Sequence, residues 1–149
     1  MEKKLIFLDI DGTILPLDGE IHRAVKEGLK EARRRGHRIF ICTGRSYHML
    51  PESLEDVELD GIVASAGSDI WIHGQNVFRE SLDERLLMDT LNLLDQMEVI
   101  YILESFRRIY VSRSGEEILS ESTPVPGDNP EIVRWKSYFN SQKKVGDIE

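Results

Sequence analysis

The chain has 149 residues, 40% apolar and 31% charged, with a formal net charge of −8 at pH 7. That length suits one domain or part of a larger one, and that apolar fraction suits a packed core rather than a disordered chain. The acidic balance argues against a general nucleic-acid or membrane-surface binder, and no apolar run approaches the ~20 residues of a membrane span.

Residues Met1 to Lys4 lead directly into the apolar run Leu5-Ile6-Phe7-Leu8. At about 5 residues this run is too short for a signal-peptide core. Without polar alternation it predicts a strand covered on both faces, as in a parallel sheet. Residues 21–35 place Ile21, Val25, Leu29 and Ala32 on one helical face. Arg33-Arg34-Arg35 ends that helix, where cations complement its dipole, and Gly36 stops it. Arg38 to Cys42 predicts a second strand, so the first unit is βαβ with parallel strands. Cys42 is the only cysteine, which rules out an intrachain disulfide and fits a reducing compartment. The expectation is a cytoplasmic protein.

Residues 46–56 predict a second crossover helix broken at Pro51, and Asp60 to Ala64 a third strand. The pattern then changes. Residues 69–79 alternate around His73-Gly74-Gln75-Asn76, a hairpin signal. Residues 83–97 predict an amphipathic helix with Leu86, Leu87, Leu91 and Leu94 inward. Two short strands follow, at 99–103 and 108–112. Residues 120–130 read as a loop and 131–139 as a helix with Ile132, Trp135 and Phe139 on one side. The expected fold class is α/β: a partial doubly wound parallel sheet over residues 1–68, then an α+β insertion over 69–149.

In open α/β sheets, ligands bind outside the carboxyl ends of the strands. Asp9 and Asp11 follow the first strand and Thr43 and Gly44 follow the second, so neighbouring strands would line one cleft with all four. Two carboxylates invite a hard cation such as Mg²⁺, while Thr43 and the backbone at Gly44 offer donors to an anion. That combination fits phosphoryl chemistry. Asp9 ends a rigid strand, which suits a nucleophile. Asp11 lies where the chain turns at Gly12 and suits a general acid and base. Thr13 fixes the turn locally. Arg45 is a candidate for phosphate or for a neighbouring loop. An EF-hand loop starting at Asp9 fails at its sixth position, where glycine is required and Ile14 stands. The four histidines show no metal-ligand spacing.

Asp9-Ile10-Asp11-Gly12-Thr13 resembles the first motif of the haloacid dehalogenase (HAD) superfamily. Ile41-Cys42-Thr43-Gly44-Arg45 resembles its second, in the form usual in the Cof-type sugar-phosphatase branch. Ala66 to Ile70 is similar to that branch's N-G-A-x-I segment, with Ala66 in place of Asn, and the hairpin and helix that follow resemble the start of its type IIB cap. The resemblance implies a HAD-like, Rossmannoid core with Asp9 as nucleophile and Mg²⁺ ligand. It makes Asp11 the acid and base, with its carbonyl on Mg²⁺, and Thr43 a phosphate donor. It implies a small phosphorylated metabolite, such as a sugar phosphate, as substrate, with the cap choosing it and Trp71, Tyr101 and Tyr110 in the cap core.

The family's third motif, a lysine, and its fourth, an acidic pair, follow the cap. Lys143-Lys144 and Gly146-Asp147 are poor matches to them, so the expectation is a chain that stops inside the cap, as a truncated product or a fragment. A non-catalytic binding remnant is the rival class, and a phosphomutase would share the same residues. A phospho-receiver module would need an aspartate at the third strand's end, where Ala64-Ser65-Ala66 stands. A half-built sheet exposes an edge and apolar surface, which points to association, including as a homo-oligomer.

Overall fold

The computed structural model describes residues 2–16, 20–106 and 109–112, and the chain divides into two compact units, Met1–Ser81 and Leu82–Glu149. The first unit carries the strands β1 (Leu5–Leu8), β2 (Arg38–Cys42), β3 (Gly61–Ala64), β4 (Asp69–Ile72) and β5 (Gln75–Arg79), with the helix α1 (Arg23–Arg34). They form one five-stranded sheet in the order β1-β2-β3-β4-β5. The first three strands are parallel, with Leu8 beside Ile41 and Cys42 beside Val63, and the last two run antiparallel.

The core lies on one face of this sheet. Leu8, Ile41 and Ile62 meet Val25 and Leu29 of α1, with Ile10, Ile14, Leu15 and Ile21 from the connecting segments. Fully burying one such isoleucine is worth about 1.5–3 kcal/mol relative to leaving it exposed. The predicted helical face at Ile21, Val25 and Leu29 is the one that packs. The prediction that β1 is covered on both faces is not met: Leu5 is 61% and Phe7 55% exposed. Phe7 stacks on Phe40 of β2, 5.0 Å between ring centroids, on that open side.

Gly36 stops α1 at φ +87°. The arginines that end the helix pair with carboxylates. Arg34 and Arg35 hold Glu31 and depress its carboxyl to about 2, while Arg33 reaches Glu58 at 2.5 Å and Asp60 at 3.4 Å. Buried Asp60 also accepts the Ile39 N–H at 2.8 Å and so pins the start of β2.

The second crossover helix predicted at 46–56 does not form. In its place are single 3₁₀ turns at Tyr47–Met49 and Glu52–Leu54. Pro51 has no N–H to donate and forces Leu50 out of the helical region, to φ −65°, ψ 139°.

The hairpin forms, but it belongs to the sheet. β4 pairs with β3 along its length, so the first compact unit runs to Ser81 and not to residue 68. Its turn is His73-Gly74, both at positive φ (49° and 76°), as a two-residue hairpin of primed type requires.

The second unit carries α2 (Glu84–Gln96), β6 (Ile102–Glu104) and β7 (Ile109–Val111), the strands pairing antiparallel. Asp83 caps α2, accepting the Leu86 N–H at 3.0 Å. Leu91 is buried and Leu87 and Leu94 are half-buried, but Leu86, expected inward, is 55% exposed. The Tyr101 hydroxyl donates to Asp95 at 3.1 Å, tying the strand segment to α2. Burial and that carboxylate together push its phenol up. The helix expected at 131–139 and the Lys143-Lys144 and Gly146-Asp147 segments lie outside the described residues. Among the described residues, no helix is long and apolar enough to cross a membrane.

Candidate active site

The parallel register sets the site. Leu8 lies beside Ile41, so Asp9 emerges beside Cys42 at the same end of the sheet as Thr43. The Cys42 thiol feels both neighbours: burial first, then the negative charge of Asp9, pushes it above its usual range. Asp9 itself is exposed at the tip of β1.

The chain then folds around one carbonyl. Ile10 is fully buried, and its C=O accepts the N–H groups of Thr13, Ile14 and Leu15 at 3.2, 3.1 and 2.9 Å. Gly12 takes φ +74° and donates its own N–H to Leu15 O at 3.1 Å. A side chain at that φ is strained, which is why the turn after the acidic pair needs glycine. Ile14 and Leu15 bury themselves in the core and anchor the loop, so Asp11 stays at the rim, with its side chain 48% exposed. Thr13 does fix the turn locally, through its backbone.

At the end of β2, Thr43 is 5% exposed and its N–H is held by Val63 O at 2.9 Å. Its hydroxyl oxygen accepts the Arg45 N–H at 3.1 Å, which leaves the hydroxyl proton free to donate. Gly44 is exposed at the rim. The segment after β3 braces this loop: the Ser65 N–H donates to Arg45 O at 2.7 Å and the Ala66 N–H to Thr43 O at 3.1 Å. Ser65 and Ala66 sit in the left-handed region at φ 49° and 53° to make those bonds. Such conformations in non-glycine residues cost energy and cluster at functional sites.

Arg45 takes the second of the two roles open to it in the sequence. Its side chain grips the neighbouring loop: Nε donates to Asp11 Oδ2 at 2.7 Å and Nη2 to Asp11 Oδ1, while Nη1 donates to Met49 O at 3.2 Å. The guanidinium thus links the two strand-end loops across the cleft.

Sequence reasoning missed a second centre beside the site. Asp69 of β4 is fully buried and accepts from Asn76 Nδ2 (2.6 Å), Trp71 Nε1 (3.0 Å), and Arg79 Nε and Nη2 (3.1 and 3.3 Å). Burial alone would raise its carboxyl, but the donors of Arg79, Trp71 and Asn76 hold it below its ordinary 3.8. Arg79 lies 5.6 Å from the Trp71 ring centroid, and Tyr47 stacks on Trp71 at 4.2 Å. The available signal was the hairpin register, which sets Asp69 opposite Arg79.

The pair Asp9 and Asp11 suits a hard cation. Asp9 presents an exposed carboxylate at the rim, whereas both oxygens of Asp11 are held by Arg45; Mg²⁺ is commonly held by one or two carboxylates with waters and phosphate oxygens completing its shell. Among the described residues there is no group of three or more His, Cys, Asp or Glu side chains placed to hold a metal. Water and phosphate would therefore supply the remaining positions.

A family profile described as haloacid dehalogenase-like hydrolase matches residues 6–145. The chain is 29% identical over 114 residues to YkrA of Bacillus subtilis, covering 75% of this chain and 44% of that protein. It is 28% identical over 119 residues to the phosphatase YwpJ of the same organism, covering 78% of this chain and 41% of that protein. A haloacid dehalogenase-like hydrolase structure from B. subtilis superposes with a TM-score of 0.70 at 21% identity, covering 91% of this chain and 50% of that one. The subclass IIB sugar phosphatase BT4131 superposes with a TM-score of 0.65, also at 21% identity, over 89% and 54%. These structures share the fold, and the chain spans about half the length of the proteins it matches.

Proposed function

Because this chain belongs to the haloacid dehalogenase-like hydrolases, whose profile spans residues 6–145, we propose that it works as a Mg²⁺-dependent phosphatase on small phosphorylated metabolites in the cytoplasm. The observation that carries this is the placement of exposed Asp9 at the end of β1, with the Thr43 hydroxyl at the end of the neighbouring strand.

Asp9 offers a carboxylate oxygen to phosphorus, forming an aspartyl-phosphate as the ester P–O bond breaks. Asp11 gives a proton to the departing alcohol and then takes one from the water that hydrolyses the acyl phosphate. Thr43 donates to a phosphoryl oxygen, with the exposed backbone at Gly44 beside it. Gly12 lets the chain turn directly after Asp11. Asp9 and Asp11 would hold the Mg²⁺ ion, which neutralises phosphate charge when bound. The first unit then carries the chemistry, and the second begins the cap that selects the substrate. The fold shared with a sugar phosphatase makes sugar phosphates the first class to test.

A second reading, a binding remnant without catalysis, is favoured because no group of three or more His, Cys, Asp or Glu side chains among the described residues is placed to hold a metal. Hydrolysis of p-nitrophenyl phosphate with and without Mg²⁺ separates the two. Phosphatase activity predicts Mg²⁺-dependent turnover that falls at least ~10³-fold in Asp9→Asn. Turnover that survives Asp9→Asn would remove the proposed nucleophile. Phosphate binding without turnover would leave the remnant.

A further inference from the structure

The turn after Arg45 is short for what depends on it. Tyr47–Met49 is a single 3₁₀ turn with no side-chain cap from Ser46. Its Met49 N–H donates to Ser46 O at 2.9 Å and its Leu50 N–H to Tyr47 O at 3.3 Å. Runs of this length have poor hydrogen-bond geometry and little stability of their own. Yet the Met49 carbonyl accepts Arg45 Nη1 at 3.2 Å, and the same guanidinium grips both oxygens of Asp11 through Nε and Nη2. The turn needs an anchor, and Tyr47 supplies one. Its ring stacks on Trp71, 4.2 Å between centroids with the planes 23° apart. Trp71 is itself fixed: its Nε1–H donates to buried Asp69 at 3.0 Å, Arg79 lies 5.6 Å from its ring centroid, and its backbone pairs with Ile62 of β3.

We propose that Tyr47 is a positioning residue for Asp11: stacked on Trp71, it holds the turn that aims the Met49 carbonyl at Arg45, and Arg45 in turn sets where the Asp11 carboxylate stands. The inference rests on the assignment of Asp11 as the acid and base of the proposed reaction. Tyr47 acts two contacts away from that carboxylate, through Met49 and Arg45. Proton transfer to a leaving group depends steeply on geometry, and a displacement of about 1 Å can cost about 10²-fold in rate. The planar fork of Arg45 transmits the position of the turn because it fixes both carboxylate oxygens at once.

Two measurements test it on the full chain, in the wild type, Tyr47→Phe and Tyr47→Leu, each checked by circular dichroism for native structure. Phenylalanine keeps the stacked ring, and leucine keeps apolar volume without it. The first measurement is water exchange at the Arg45 Nε–H, read by nuclear magnetic resonance and assigned by the absence of its signal in Arg45→Lys. Tyr47→Leu is expected to speed that exchange about fivefold or more, and Tyr47→Phe to leave it at the wild-type rate. The second is Mg²⁺-dependent hydrolysis of p-nitrophenyl phosphate and phenyl phosphate. Phenol is the poorer leaving group and depends more on a proton from Asp11. Tyr47→Leu is expected to lower kcat about 10–100-fold on phenyl phosphate and under ~3-fold on p-nitrophenyl phosphate, with KM little changed and both rates restored in Tyr47→Phe.

Wild-type exchange at Arg45 in Tyr47→Leu would overturn the inference, and so would a fast-exchanging Arg45 signal in the wild type. Equal losses on the two esters would also overturn it, because the stack would then serve packing alone. Should Tyr47→Leu not fold, Tyr47→Met fills the same space without a planar ring and is read in the same way. No turnover of either ester by the wild type would remove the phosphatase reading, and the Arg45 exchange rates would still decide whether Tyr47 sets the fork.

Discussion

Asp69→Asn replaces one carboxylate oxygen by NH₂ and should cost the first unit much of its stability. In the wild type, Oδ1 accepts from Asn76 and Arg79, and Oδ2 accepts from Trp71 and Arg79, in a site with no solvent exposure. An asparagine has one acceptor oxygen. Whichever way its amide is turned, its NH₂ faces two donors that have lost their acceptor. Each lost bond to a charged group is worth about 1.5–3 kcal/mol, and breaking a buried pair from one side about 3–5. Arg79 is 37% exposed and can turn part of its guanidinium to water, so the expected loss sits low in that range, at about 3 kcal/mol. Urea unfolding followed by circular dichroism measures it, with the slope m checked for constancy.

The pH dependence sharpens the test. The folded carboxyl lies below 3.8, so its stabilisation is fully present above that value and is lost as pH falls through the lower, folded value. The gap between wild type and Asp69→Asn should hold constant from pH 7 to about 4 and close below it. A gap under ~1 kcal/mol at pH 7, or one that does not close in acid, would mean that the four donors do not stabilise an ionised carboxylate.

Two further substitutions probe the backbone, one at the far end of β3 and one beside the site. A Cβ at Gly61 would meet Trp71 O at 2.7 Å, Ile72 Cδ1 at 2.8 Å and Phe40 Cδ1 at 2.9 Å, so Gly61→Ala should destabilise by about 1–3 kcal/mol in the same urea assay; a neutral result would show that β3 and β4 can spread without cost. Ala66 sits at φ 53°, where asparagine is tolerated better, and is exposed. Ala66→Asn should therefore stabilise by about 0.5–1 kcal/mol, read as a raised thermal midpoint, and a lowered midpoint would contradict the strain assigned to that residue.

The elements legible in the sequence were those whose signal is local. Leu5 to Leu8, Arg38 to Cys42 and the helix face at Val25 and Leu29 announce themselves by run length and period, and the structure places them as predicted. His73-Gly74 announces its turn through a glycine at a position needing positive φ. The misses depend on partners far apart in sequence. The periodicity of residues 69–79 fixes a hairpin but says nothing of whether it pairs with β3, and the Gly61-to-Ile72 register that joins them is a tertiary fact. Residues 46–56 carry apolar residues at helical spacing, yet the constraint that Pro51 imposes on Leu50 outweighs the spacing. Asp9, Asp11 and Thr43 were singled out because ligands bind outside strand ends in parallel sheets, and the β1–β2 register brings those two strand ends together. The grip of Arg45 on Asp11 spans 34 positions and leaves no trace in spacing.

The two centres are joined through one loop. Asp69 and Arg79 fix the indole of Trp71, and Tyr47 stacks on that indole from the 3₁₀ turn whose Met49 carbonyl accepts from the Arg45 side chain. The Ser65 and Ala66 N–H groups hold the main chain of the same loop from the other side, in a conformation that costs energy locally and is stabilised by the bonds it makes. Asp11, just beyond β1, is thus linked through Arg45 and Tyr47 to a hairpin three places away in the sheet order. Loosening Asp69 should release Tyr47 first and the Arg45 fork after it. A stability variant remote from Asp11 would then free the Asp11 carboxylate from its internal partner.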